Sequence, residues 1–170
     1  MTTATASALD VFTFLDKTHQ DVQVFIKDLE KLINECKDDP TSSFSKDRAL
    51  KILTFFNEEA RQHNLDEELH IFPSLLEKND EQLTSIVQKL KLDHNWIEQT
   101  WSDLSPHLEA MVEGFSWFDP DLVLHGLEIM QAQYADHMAL EELTAYPEAR
   151  KAIGEKEAEE MIKEILERRH

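Results

Sequence analysis

Along most of this chain the apolar residues recur every three or four positions, the spacing of a helix that turns one face to a core. Phe12, Leu15, Val22, Ile26, Leu29 and Ile33 form the first such stripe, and the spacing predicts a helix from about Ala8 to Cys36, capped by Ser7. The polar stretch KDDPTSSFS at 37–45 predicts a loop, after which Ser45 caps a second helix carrying Leu50, Leu53, Phe56 and Leu76. Pro73 is expected to end or bend that helix. Asn79-Asp80 breaks the pattern, and a third stripe runs through Leu83, Val87, Leu90, Ile97, Trp101, Leu104 and Leu108, with a kink expected at Pro106. Gly114 and FSWFDP make the next loop. Asp119-Pro120 then reads as an N-cap followed by proline at the first helical position. It opens a fourth helix through Val123, Leu127, Met130 and Tyr134 that Pro147 should close, and a last amphipathic segment spans roughly Glu155 to Arg169.

Long amphipathic helices with short connections predict an all-α protein: an antiparallel up-down four-helix bundle over residues 1–150, with an extra C-terminal helix over 151–170. Three Gly and five Pro in 170 residues agree with it. The net charge of −18 argues against nucleic acid and anionic membrane surfaces as partners. The single Cys36 excludes an intramolecular disulfide and reads as an incidental thiol. MTTATASALD lacks the basic and apolar regions of a leader, and no apolar run approaches the roughly 20 residues of a membrane span. A soluble cytoplasmic protein is expected, with a homodimer left open.

The chain writes one string twice: HNLDEELHIFP at 63–73 and HMALEELTAYP at 137–147. The likeness extends to HQDVQVFIKDL at 19–29 and HNWIEQTWSDL at 94–104. His94 follows His19 by 75 positions and His137 follows His63 by 74, so the chain reads as two similar helix pairs. Each pair supplies one lone histidine and one His-x-x-x-Glu.

His19, His63, His94 and His137 fall on the inward stripes of four different helices. A lone histidine on such a face is most often a hydrogen-bonded core residue. Four together, with Glu67 and Glu141 one turn away, would bury many titratable groups, and a bound cation removes that penalty. Positions i and i+4 differ by about 40° around the helix, so His63/Glu67 and His137/Glu141 each aim at one spot. Two carboxylates that can bridge and four imidazoles suit a pair of iron or manganese ions, with zinc an alternative. Six side chains leave positions for water, oxide or a small exogenous molecule. Phe12, Phe56, Leu90, Ile97, Met130 and Tyr134 are the expected lining, apolar and narrow enough for a diatomic or a peroxide.

One competing pattern is Glu67-x-x-His70, the ferritin-type di-iron signature, which needs two copies. Thr144 stands where the second histidine would be, so His70 is expected near the site or on the surface rather than on the metal. Glu68 and Glu142 lie about 100° around from the first Glu of each string. They are read as solvated or interhelical charges in preference to acceptors for an imidazole N–H. The proline after each aromatic is read as a helix end, and Trp96, Trp101 and Trp117 as core or groove-filling residues.

These pieces, His19, FFNEEARQHNLDEELHIFP at 55–73, LDHNW at 92–96 and HMALEELTAYP at 137–147, resemble the hemerythrin-like, or HHE cation-binding, family over about residues 8–147. The resemblance implies that His19, His63, Glu67, His94, His137 and Glu141 are ligands of a non-haem, oxo- or hydroxo-bridged di-iron centre. The oxygen-carrying members place a fifth histidine one turn after the third-helix histidine, where this chain has Glu98. They also end with an Asp one residue beyond the position of Glu141. Glu98 is left open as a ligand, a non-ligand beside a vacant position, or a solvent-facing residue.

Three functions remain open at this point: reversible binding of O2 or nitric oxide; redox chemistry on peroxide or nitric oxide, or iron donation for cluster repair; and a purely structural metal. The di-cysteine segment of the cluster-repair relatives and any sensor output domain are missing from this sequence. Tyr134, one turn before His137, slightly favours redox chemistry.

Overall fold

The computed structural model describes residues 10–37, 43–115 and 117–170. They are helical throughout, with no strand among the described residues. Helix α1 (Val11–Cys36) starts at Asp10, whose side chain accepts the Thr13 N–H at 2.8 Å; Ser7 lies outside the described residues. Helix α2 spans 43–76 and α3 is Glu81–Glu113. Helix α4 spans 120–152, and α5 is Glu155–Arg169, as the periodicity predicted. Asp80 and Asp119 cap α3 and α4 by accepting first-turn N–H groups.

The four long helices pack in a ring, α1 against α2, α2 against α3, α3 against α4 and α4 back against α1, with α5 laid on α1. Buried apolar residues form two clusters. One holds Ile26, Leu53, Phe56, Trp101, Leu104 and Met130, and the other Phe12, Leu15, Phe72, Leu90 and Tyr146. Gly126 lets α4 approach α3 closely, since a Cβ there would stand 2.5 Å from Leu104 Cδ2. Gly114 ends α3 in the left-handed region at φ 80°, where glycine is at no steric disadvantage.

Several details depart from the periodicity. Helix α2 begins at Ser43, so Ser45 is inside it, and Leu50 and Leu76 face solvent. Pro106 sits inside one uninterrupted helix. Trp101 is buried, but Trp96 and Trp117 are 58% and 59% exposed. Cys36 is a free thiol buried in the core.

Pro73 and Pro147 end neither helix. Each follows a π turn, Glu67–Ile71 in α2 and Glu141–Ala145 in α4, and the helix continues to Leu76 and Ala152. A proline cannot donate to the carbonyl four residues back, and its ring crowds that carbonyl. The helix accommodates this by widening one turn: the Phe72 N–H bonds to Glu67 O, and the Tyr146 N–H to Glu141 O, five residues back. A further π turn, Phe55–Glu59, lies in α2 without a neighbouring proline.

Candidate metal centre

The α-helical stretches before the π turns keep His63 over Glu67 and His137 over Glu141, while α1 and α3 bring in His19 and His94. All six side chains are buried, and the two carboxylates are 0% exposed. They fall into two groups, His19–His63–Glu67–Glu141 and Glu67–His94–His137–Glu141, whose donor atoms lie within 4.8 Å of one another. Both groups contain both carboxylates.

The near-repeat of the sequence becomes a near-symmetry of the site. The rings of His19 and His63 are 4.8 Å apart between centroids, and those of His94 and His137 also 4.8 Å. His63 Nε2 lies 3.1 Å from Glu67 Oε1, and His137 Nε2 2.9 Å from Glu141 Oε1. Each carboxylate also reaches across to a neighbouring helix: Glu67 Oε2 is 3.1 Å from His94 Nε2, and Glu141 Oε2 is 3.0 Å from His19 Nε2.

The second glutamate of each string completes the grip, in the role of imidazole N–H acceptor that the sequence reading ranks below a solvated or interhelical charge. His94 Nδ1 donates to Glu68 Oε1 at 2.8 Å, and His19 Nδ1 donates to Glu142 Oε1 at 2.9 Å. A Glu-Glu pair thus holds the lone histidine of the next helix by both nitrogens. With Nδ1 committed to a carboxylate, the neutral imidazole presents its Nε2 lone pair to the centre. His137 Nδ1 faces Asp93 Oδ2 at 3.4 Å, whereas His63 Nδ1 has no partner among the described residues.

The π turns bring in two aromatic rings. In an unbroken α-helix Phe72 and Tyr146 would stand about 140° around from Glu67 and Glu141; a bond spanning five residues returns each ring to the glutamate's side. Phe72 stacks on His94 and Tyr146 on His19. The Tyr146 hydroxyl donates to Glu67 Oε1 and lies 3.3 Å from His19 Nε2. Sequence reasoning missed this residue, although Tyr in one string against Phe in the other marks the spot.

Charge is tightly coupled here. Burial alone would lower the His19 and His94 pKa values. The surrounding carboxylates outweigh it: Glu141, Glu67 and Glu142 push His19 up to about 9, and Glu67, Glu68 and Glu141 push His94 up to about 10. Burial would raise Glu67, but His63 and His94 hold it well below the usual carboxylate range. Burial, reinforced by Glu67 and Glu141, pushes the Tyr146 phenol well above its ordinary value.

The donor set fits a cation. Both carboxylate oxygens of Glu141 and Nε2 of His137 are buried without a hydrogen-bond partner among the described residues. Their short contacts with the imidazoles lack hydrogen-bond geometry, so a positive ion would answer atoms that the protein leaves unsatisfied.

Beside the imidazoles is a cavity of about 10 Å³ lined by His19, His63, His137, Val22, Tyr134 and Met138, among others. Its volume suits one water-sized molecule. Phe56, Ile97 and Tyr134 border this cavity or a similar one behind it, as expected from sequence, whereas Leu90 and Met130 pack in the core away from both. Phe12 instead borders an outer cleft of about 600 Å³ that reaches His19 and Tyr146 past Asp16 and Arg150. Glu98 belongs to neither ligand group and pairs with Arg61. His70 is also outside both, 3.9 Å from Glu164 of α5.

An all-helical fold around buried, carboxylate-sharing His/Glu groups defines a cation-binding bundle. The sequence matches the description "Hemerythrin HHE cation binding domain" over residues 10–149, and the chain belongs to that family. It is also 36% identical over 92 residues to a protein of Haemophilus influenzae described as "Uncharacterized protein". The match covers 54% of this chain and 51% of that protein, so it spans about half of the relative's length. No helix among the described residues is long and apolar enough to cross a membrane.

Proposed function

We propose that His19, His63, Glu67, His94, His137 and Glu141 hold two iron ions within an antiparallel up-down four-helix bundle, and that the pair binds dioxygen or another diatomic such as nitric oxide in the cytoplasm. The observation that carries this reading is the sharing of Glu67 and Glu141 between two pairs of imidazoles. Nitrogen and oxygen donors without thiolate favour iron or manganese, with zinc less suited to small-molecule chemistry. Residues 1–150 make the binding unit and 151–170 fasten to its outside.

When bound, the metal pair supplies Lewis acidity and electron transfer. The chain's own residues set the conditions. Glu68 and Glu142 hold the Nδ1 protons and so orient Nε2 inward. Val22, Ala60 and Met138 wall the small cavity with apolar atoms, which limits its occupant to something diatomic in size. A second reading, redox chemistry on peroxide or nitric oxide, is favoured by the buried Tyr146 hydroxyl against Glu67.

Metal analysis of protein isolated without added metal tests the assignment. Two irons per chain are expected, and none after Glu67→Ala with Glu141→Ala; full occupancy in that variant would refute the site. Adding oxygen to the reduced protein separates the two readings: a visible band that reverses on oxygen removal marks carriage, and turnover of added peroxide marks catalysis.

A further inference from the structure

Phe72 and Tyr146, at the same step of the two strings, differ by one oxygen atom. Each stacks on the lone histidine of the other repeat, at 5.8 Å and 21° for Phe72 on His94, and at 5.6 Å and 11° for Tyr146 on His19. Only Tyr146 carries a hydroxyl. Its oxygen contacts Glu67 Oε1 and lies 3.3 Å from His19 Nε2, two donor atoms of the same four-residue group. Any ion held by both of those atoms has the phenol oxygen as a close neighbour. The His94–His137 group has only the hydrocarbon edge of Phe72 in the matching place. Glu98, one turn after His94, is engaged by Arg61.

We propose that Tyr146 is a seventh protein ligand, binding as phenolate to the ion held by His19, His63, Glu67 and Glu141. This rests on the reading of those residues as ligands. In the metal-free chain the phenol donates its proton to Glu67; on loading, the O–H bond breaks, the proton leaves to solvent and the oxygen takes the ion instead. An anionic oxygen is a hard donor, so it favours the ferric state on its own side. The two ions become unequal, since only the His19–His63 side has a phenol beside it.

Ferric-loaded protein, examined by visible absorption and resonance Raman, tests this. The expected result is a phenolate-to-iron charge-transfer band that enhances tyrosine ring vibrations. Tyr146→Phe, which copies the Phe72 half, should lose the band and keep both irons; Tyr134→Phe should keep both. Two irons without enhanced tyrosine modes in the wild-type chain, or an unchanged band in Tyr146→Phe, would overturn the proposal while leaving the six-residue site standing. A chain that takes up no metal would overturn both. If Tyr146→Phe fails to load, the wild-type Raman spectrum alone decides.

Discussion

Glu142 Oε1 accepts a hydrogen bond from His19 Nδ1 at 2.9 Å, across 123 positions of sequence, and so ties α4 to α1 at the edge of the centre. The contact turns an exposed glutamate into the residue that aims a buried imidazole. Removing such an outer carboxylate typically weakens metal binding about 10–100-fold. We expect Glu142→Gln and Glu68→Gln each to lower affinity by that order without unfolding the chain. Competition with a chelator of known affinity measures it, and unchanged affinity in both would show that these bonds do not orient the ligands.

Asp66 is buried next to Glu67 and is gripped by Arg168 and Arg169 at the end of α5. The matching position in the second string is Leu140. Truncating both arginines to alanine leaves a buried carboxylate unpaired and should destabilise the fold by about 3 kcal/mol. Adding Asp66→Leu should recover most of that, because the charge needing a partner is gone. Urea unfolding of the three proteins checks the order.

The metal-free and loaded proteins should respond to pH in opposite senses. His19 and His94 are raised from 6.5 to about 9 and about 10. A raised histidine contributes stability that is full below its unfolded pKa and is lost as pH rises through the folded one. The melting temperature of the metal-free protein should therefore fall between pH 6.5 and 10. Metal needs neutral imidazole, so loading near pH 7 should release protons, measurable by calorimetry in buffers of different ionisation enthalpy. Absence of proton release would mean that both rings are already neutral and that Tyr146 keeps its proton.

Gly126→Ala tests the closeness of α3 and α4. The added methyl meets Leu104 Cδ2 at 2.5 Å, and although that side chain can shift, overpacking of this kind costs about 1–3 kcal/mol. Gly154→Ala, which meets nothing within 4 Å, is the control and should leave thermal stability nearly unchanged.

The helices and the convergence of four histidines and two glutamates were legible because both follow from spacing on a single helix. What lies between helices was not. A helical wheel sets Glu68 about 100° from Glu67; only the packing of α3 on α2 shows that His94 Nδ1 waits there. The π turns escaped because Pro73 and Pro147 look like helix ends, and nothing local says that α4 will resume as far as Ala152. Tyr146 was hidden by the same turn, since an α-helical wheel puts its ring on the wrong side.

A π turn is an α-helix with one surplus residue, so the placement of the phenol depends on the width of that turn rather than on side-chain identity. Leu143 projects from the turn at 79% exposure. Deleting that one residue would let the turn close to the α form with Tyr146 in the fourth place after Glu141, still only about 40° around the helix from it, and leave His137 and Glu141 upstream where they are. What would carry the phenol away is the opposite change, closing the turn to the α form with all its residues kept, which would set the ring about 140° from Glu141.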